Sequence, residues 1–230
     1  MSPVHPPLSR SAEDYLKAIY GLTERGDTAS TSAIAEVLAV QPASVTGMIK
    51  RLADAKLLEH VPYRGVRLTE LGVREALKVL RRHRVIETYL CERLGYTWDD
   101  VHEEAERLEH AASDRLVEHM ADALHFPSHD PHGAPIPTSS GEIEATDFLT
   151  LADVGPGVEL RVRAVQDEDP GELRSLEATG LTPGTRLLVE SSQGDPRGGI
   201  VVQLGGPGGT RLTVDRELAG RIFVVSTDGL

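Results

Sequence analysis

The chain is predicted to be mainly α-helical in its N-terminal portion, followed by a small all-β domain, and three observations carry that expectation. Apolar residues recur at helical spacing through most of residues 11–125, but after residue 148 they come in short alternating runs split by Gly and Pro. Between residues 57 and 69, two short β-type runs are joined by Pro62-Tyr63-Arg64-Gly65. Charge is unevenly spread within a net of −12. Residues 1–70 hold eight basic and eight acidic side chains, residues 71–145 eight and fifteen, and residues 146–230 eight and thirteen.

A chain of 230 residues suits one large or two modest domains and can bury a real core. It has no apolar run long enough to span a bilayer and no secretory-signal pattern, so the expectation is a soluble, cytoplasmic protein with no membrane partner. The single cysteine, Cys91, excludes an internal disulfide framework and any multi-cysteine zinc site. It sits in the helical pattern Val85, Ile86, Leu90, Leu94 and reads as packing rather than chemistry. The acidic balance argues against a generally basic coat for nucleic acid, but the neutral segment comes first.

Residues 1–10 carry three prolines and no period, and read as a loose tail. A helix follows from about Ser11, with Tyr15, Leu16, Ile19, Tyr20 and Leu22 at helical spacing and Gly26 as its terminator. Ser30-Thr31-Ser32 precedes a short amphipathic helix carrying Ile34, Ala35, Val37 and Leu38. After a break at Val40-Gln41-Pro42, a helix over Ala43 to Ala55 turns Val45, Met48, Ile49 and Leu52 inward, with Pro42 well suited to a first helical position. Residues 57–61 and 65–69 read as two strands.

Helix, helix, turn, helix and a two-stranded wing is the order of a winged helix-turn-helix, whose recognition helix enters the major groove of DNA. The outward residues Ser44, Thr46, Lys50 and Arg51, with Gln41 and Pro42 at the helix start and Arg64 on the wing, are the expected DNA contacts. A neutral module implies modest affinity per copy, which dimerisation on a two-fold site would offset. Winged helices also serve protein–protein contacts, but the element order favours DNA.

From Thr69 a long helical pattern runs to about Gly95 and carries His83 and Glu87 one turn apart, either a surface hydrogen bond or part of a site. A second pattern, expected as one helix over 97–125, contains His102, Glu106, Glu109 and His110. At about 100° per residue these four share one face. Such a face is either a solvated acidic surface or a set of ligands for a borderline or hard divalent ion. His102 and His110 stand about 12 Å apart along the helix, so Glu106, Glu109 and His110 would share one ion and His102 would need partners elsewhere for a second. Residues 127–137, with four prolines, read as a linker; His129 and His132 there are metal donors or parts of a packed surface loop.

In the C-terminal part, alternating runs at 159–165, 186–190, 199–204 and 222–225, interrupted by a brief helix over Gly171 to Ala178, predict a small antiparallel barrel with no catalytic constellation.

Taken together, these stretches resemble the diphtheria toxin repressor family of iron- and manganese-dependent regulators. The likeness is carried by residues 13–20 (EDYLKAIY), 34–38 (IAEVL), Ser44-Val45-Thr46 with Lys50-Arg51-Leu52, 63–69 (YRGVRLT), Arg82-His83-Arg84, Glu109-His110, and Pro131-His132-Gly133 through Pro137. It implies a winged helix-turn-helix DNA-binding domain over 1–72, a helical metal-binding and dimerisation domain over 73–140, and an SH3-like domain over 148–230. It also implies a primary metal site of Asp14, Glu106, Glu109 and His110 and an ancillary site of His83, Glu87 and His102. Gln166 or Glu168 lies near where the C-terminal domain of relatives often adds an ancillary oxygen. Iron-type relatives place Met and Cys where this chain has Asp14 and Glu106, and manganese-type relatives place carboxylates there. The binuclear manganese type also has a carboxylate at Lys17 and usually lacks the barrel. The resemblance therefore implies manganese-type primary ligands on a three-domain frame, with Mn²⁺ as the expected metal and Fe²⁺ as the alternative.

The expected function is a metal-dependent repressor that binds palindromic operator DNA as a homodimer, with no enzymatic activity and no small-molecule substrate. A metal-independent winged-helix repressor is the remaining alternative. An enzyme is disfavoured because His102-Glu103 lacks the second His of the zinc-protease pattern and His110 has Arg107 rather than Glu three residues before it.

Overall fold

The computed structural model describes residues 8–24, 28–145, 149–166, 169–191 and 199–227. Two units emerge: Met1–His83 with Leu108–Asp114 and Pro137–Ile143, and Arg84–Arg107 with Arg115–Ile136 and Glu144–Leu230.

The first unit begins with α1 (Arg10–Glu24), α2 (Thr31–Val37) and α3 (Pro42–Asp54), then the antiparallel hairpin of β1 (Leu58–Val61) and β2 (Gly65–Leu68). Gly26, the expected terminator of α1, lies outside the described residues. Ser30 caps α2 by accepting a hydrogen bond from the Ala33 amide. Pro42 occupies the first turn of α3, and the Gln41 side chain makes no cap bond. The core takes Tyr15, Leu16 and Ile19 from α1, Ile34 from α2, Val45, Ile49 and Leu52 from α3, and Val66 from β2. Every α3 residue expected to face inward is therefore buried. Gln41, Pro42, Ser44, Thr46, Lys50, Arg51 and, on the hairpin, Arg64 are exposed.

The wing is anchored at its base, where the Ala29 and Val66 amides and carbonyls exchange hydrogen bonds of 2.8 and 2.9 Å. Gly65 makes that approach possible. Its φ is +117°, and a Cβ there would stand 2.2 Å from the Ala29 carbonyl oxygen.

The long pattern after the wing is α4 (Glu70–Leu94). The single helix expected over 97–125 is instead two, α5 (Val101–Leu108) and α6 (Asp114–Ala123), with a turn between them. Ser113 and Asp114 are residue types that open helices, and Asp114 suits the positive end of α6. The apolar period reads through the break because each helix buries its own pair, Val101 and Ala105 in α5 and Val117 and Ala121 in α6. The turn takes Glu109 and His110 off the helical path on which the sequence argument placed them.

The C-terminal part of the second unit is one six-stranded antiparallel sheet. Its strands are β3 (Leu149–Thr150), β4 (Glu159–Val165), β5 (Arg186–Ser191), β6 (Ile200–Leu204), β7 (Thr210–Val214) and β8 (Ile222–Ser226), in the order β3-β8-β4-β5-β6-β7. Helix α7 (Pro170–Thr179), capped by Asp169 and ended by Gly180 in the left-handed region, and the short α8 (Arg216–Ala219) connect strands. β3, β7 and α8 carried no separate signal in the sequence. Leu160, Val162, Leu173, Leu187, Val189, Ile200, Val202 and Ile222 form the core.

The proline-rich stretch is not a surface loop. Asp130, His132 and Ile136 are buried, with His132 only 1% exposed. The His132 carbonyl accepts from the Val165 amide at the end of β4. Gly133, at φ +86°, lies so close to β4 that a Cβ would be 2.1 Å from the Arg163 carbonyl oxygen. Proline removes donors from such a segment, and its remaining polar groups are met locally: Asp130 Oδ1 accepts from the His132 and Ala134 amides, and Arg84 donates to the Pro135 carbonyl. Among the described residues, no single helix is long and apolar enough to cross a membrane.

Candidate metal centre

In the first unit, α1 presents Glu13, Asp14 and Lys17, the α5–α6 turn presents Glu109 and His110, and α4 presents Arg82 and His83. These side chains meet. His110 Nε2 lies 2.8 Å from Asp14 Oδ1 and 3.3 Å from Glu109 Oε1. The other ring nitrogen, Nδ1, is 2.7 Å from Glu13 Oε2. An ionised carboxylate only accepts, so Nδ1 carries the proton, and in the neutral ring Nε2 presents its lone pair toward Asp14 and Glu109. Nε2 is buried and, despite the short distance to Asp14, has no aligned hydrogen bond. Arg82 Nη2 holds the second Glu13 oxygen at 2.5 Å, which fixes the carboxylate that orients the ring.

Glu109 is fully buried. Burial pushes its carboxyl up, but the His83 hydrogen bond and the nearby Lys17 ammonium outweigh that and hold it below the ordinary glutamate value. His83 Nδ1 meets Oε2 at 2.6 Å, and Lys17 Nζ meets Oε1 at 2.8 Å and Oε2 at 3.0 Å.

Asp14, Glu109 and His110 can each turn one donor atom into a common point, with all three atoms within 4.8 Å of one another. Two carboxylates and an imidazole whose far nitrogen is held by a carboxylate form a hard, thiolate-free ligand set for a divalent ion, so these residues fit a metal. Glu106, the other primary residue that the resemblance implies, has its Oε1 3.9 Å from His102 Nε2, one turn earlier on α5.

In the second unit, Glu87, fully buried on α4, meets His102 Nδ1 at 3.1 Å through Oε1. Its Oε2 lies 4.0 Å from His132 Nδ1. His132 Nε2 is 2.7 Å from the Trp98 carbonyl, which only accepts, so Nε2 carries the proton and a neutral ring turns its Nδ1 lone pair toward Glu87. Trp98 stacks on the His132 ring at 5.7 Å and 23°. Glu87, Asp130 and His132, all buried, form a second group able to converge donor atoms.

The two residues from the ancillary expectation that share this unit, Glu87 and His102, are hydrogen-bonded to each other, while His83 is bonded to Glu109. Asp130 was not read from the sequence at all. His132, which the sequence leaves as either a metal donor or part of a packed surface loop, is buried and grouped with Glu87 and Asp130. His129, the other linker histidine, accepts from Arg163 at 2.6 Å, and burial together with that cation holds its pKa below the ordinary value. Glu13, Lys17 and Arg82 also went unread as site residues. Gln166 donates its backbone amide to Arg221, and Glu168 lies outside the described residues.

The DNA-facing candidates lie on α3 and the wing. Thr46 Oγ1 donates to the Pro42 carbonyl at 3.3 Å. Tyr63 stands fully exposed beside Arg64 at the hairpin tip, with φ +63°.

Comparison with known proteins gives three family matches along the chain: the N-terminal DNA-binding domain of iron-dependent repressors at residues 7–66, their metal-binding and dimerisation domain at 69–138, and a FeoA domain at 149–226. The iron-dependent repressor IdeR of Mycobacterium tuberculosis is 31% identical over 226 residues, covering 93% of this chain and 96% of that protein. The diphtheria toxin repressor of Corynebacterium efficiens is 30% identical over 230 residues, covering 96% and 97%. Among solved structures, a manganese-dependent transcriptional repressor in complex with manganese superposes with a TM-score of 0.86 at 37% identity, covering 94% of this chain and 99% of that one. The manganese regulator SloR gives 0.78 at 33%, covering 94% and 98%. With likeness along nearly its whole length to repressors of one kind, the chain belongs to the iron-dependent repressor family of metal-dependent transcriptional regulators.

Proposed function

We propose that this protein is a Mn²⁺-responsive repressor that binds an interrupted palindromic operator as a homodimer. The observation that carries the reading is the convergence of Asp14, Glu109 and His110, with His110 Nε2 buried and placed 2.8 Å from the Asp14 and 3.3 Å from the Glu109 carboxylate. Asp14 belongs to α1 of the winged-helix segment and Glu109-His110 to the α5–α6 turn, so one ion held by all three ties elements more than ninety residues apart in sequence. When bound, the metal supplies the positive charge that keeps these carboxylates together. Glu106 is carried as a fourth ligand on the family resemblance alone. A second ion would be held by Glu87, Asp130 and His132, with His102 against Glu87.

Oxygen and imidazole donors suit Mn²⁺ or Fe²⁺. The absence of a thiolate and the 37% identity to a manganese-dependent repressor favour Mn²⁺, while the family matches and the IdeR likeness make Fe²⁺ the second reading. α3 presents Gln41, Ser44 and Thr46 to base edges, with Lys50, Arg51 and Arg64 on phosphates.

A gel shift with the DNA upstream of the protein's own gene, in Mn²⁺, in Fe²⁺ under anaerobic conditions, and in EDTA, tests the proposal. The expected result is a shift with Mn²⁺ that EDTA reverses, and footprinting that protects two symmetric half-sites. DNA binding that EDTA leaves unchanged would instead establish the metal-independent reading.

A further inference from the structure

Glu109 is a buried carboxylate, and an ionised carboxylate away from water needs a compensating cation. Lys17 supplies a permanent one, beside the His83 hydrogen bond. Its Nζ straddles the carboxylate, 2.8 Å from Oε1 and 3.0 Å from Oε2. Oε1 is also the oxygen that lies 3.3 Å from His110 Nε2, on the side where Asp14 approaches. His83 meets the other oxygen, Oε2, at 2.6 Å. The ammonium therefore stands on the oxygen that the Asp14–Glu109–His110 set would turn toward an ion.

Lys17 follows Asp14 by three residues on α1, so one helix delivers both the carboxylate that would accept an ion and the ammonium that opposes it. A divalent ion and an ammonium on the same oxygen repel each other, and one must leave. The lysine can leave readily: its side chain is 20% exposed and ends a flexible four-carbon stem that can carry the charge into water.

We infer that Lys17 is an internal cation that holds Glu109 in the metal-free protein and must be displaced when a divalent ion binds, so that this lysine sets the metal concentration at which the protein responds. The inference rests on the reading that Asp14, Glu109 and His110 hold the ion. Two properties follow from the one contact. The metal-free protein keeps its buried carboxylate in place, and its affinity for metal is lowered by the free energy of breaking the ion pair. A neutral residue at position 17 uncouples them, tightening metal binding while weakening the metal-free fold.

The experiment measures Mn²⁺ affinity by competition with a fluorescent chelator, and the melting temperature with and without Mn²⁺, for the full-length wild type, Lys17→Met, Lys17→Gln and Asp14→Ala. The expected result is at least tenfold tighter Mn²⁺ binding in both Lys17 variants. Their metal-free forms should melt below the metal-free wild type, and the difference should shrink in saturating Mn²⁺. Equal or weaker Mn²⁺ binding in both neutral variants would overturn the inference. Asp14→Ala separates the two ideas. If it binds Mn²⁺ as the wild type does, the site reading falls and the inference falls with it. If it loses the ion while the Lys17 variants bind no tighter than wild type, the site stands and only the role of Lys17 is refuted.

Discussion

The two acid–imidazole clusters are built from the same chemistry and differ in what surrounds it. In the first, Asp14 has a third of its side chain exposed, and side-chain cations stand against the carboxylates: Lys17 on Glu109 and Arg82 on Glu13. In the second, Glu87, Asp130 and His132 are all buried, and Arg84 approaches Asp130 at 3.4 Å. Both orient a histidine through its far nitrogen. His110 is held by a carboxylate, which makes the ring a stronger donor, and His132 by a backbone carbonyl, which fixes its tautomer without adding charge. The lesson is one of access: were both clusters to hold ions, the one with a partly exposed carboxylate would exchange with solution more readily than the fully buried one. An open site can follow the metal concentration, while a closed one gains or loses its ion only as its surroundings open.

Substitution separates the two most sharply at the first cluster. Asp14→Ala is expected to abolish Mn²⁺-stimulated operator binding in fluorescence anisotropy while circular dichroism still reports a folded protein. Glu87→Gln, which keeps shape and removes charge in the closed cluster, should weaken Mn²⁺ activation by about 10- to 100-fold without abolishing it. If Glu87→Gln were the more damaging change, the assignment of sensing to the open cluster would be reversed.

A contact outside both clusters gives a reference for their size. Arg51→Ala, on the exposed face of α3, should lower affinity for all DNA sequences alike and reduce the slope of log affinity against log salt by about one, with metal affinity unchanged. An unchanged salt slope would remove Arg51 from the phosphate contacts. The smallest effect is expected at Cys91. Burial, with Glu87, Asp130 and Glu92 nearby, pushes its thiol up to about 12. Thiol-specific labelling of the native protein at pH 8 should be slow and should become fast in denaturant. Rapid native labelling would show that the region around the closed cluster opens readily.

The outline of the fold was legible because hydrophobic period reports directly on local structure. The inward face of α3, the wing and the change to alternating runs after residue 148 all follow from spacing and turn residues. The chemistry of the first cluster was legible in part: Glu109 and His110 stand out as donors on one predicted face, and Asp14 came only through the family resemblance. The break between α5 and α6 was not, because the apolar period continues across it and only the capping tendency of Ser113 and Asp114 hints at a stop.

What the sequence by itself determined is the order of the winged-helix elements, the change from helix to strand after them, the faces they bury and the kinds of ligand available. Only the tertiary structure decided the pairings: Lys17 on Glu109, Glu13 behind His110, and His132 drawn under β4 toward Glu87. The physical reason is range. Helical and strand periods arise from neighbours a few residues apart, so they are written locally. Which oxygen an imidazole or ammonium meets depends on how elements many residues apart pack, and there a shift of an ångström moves a group from one partner to another.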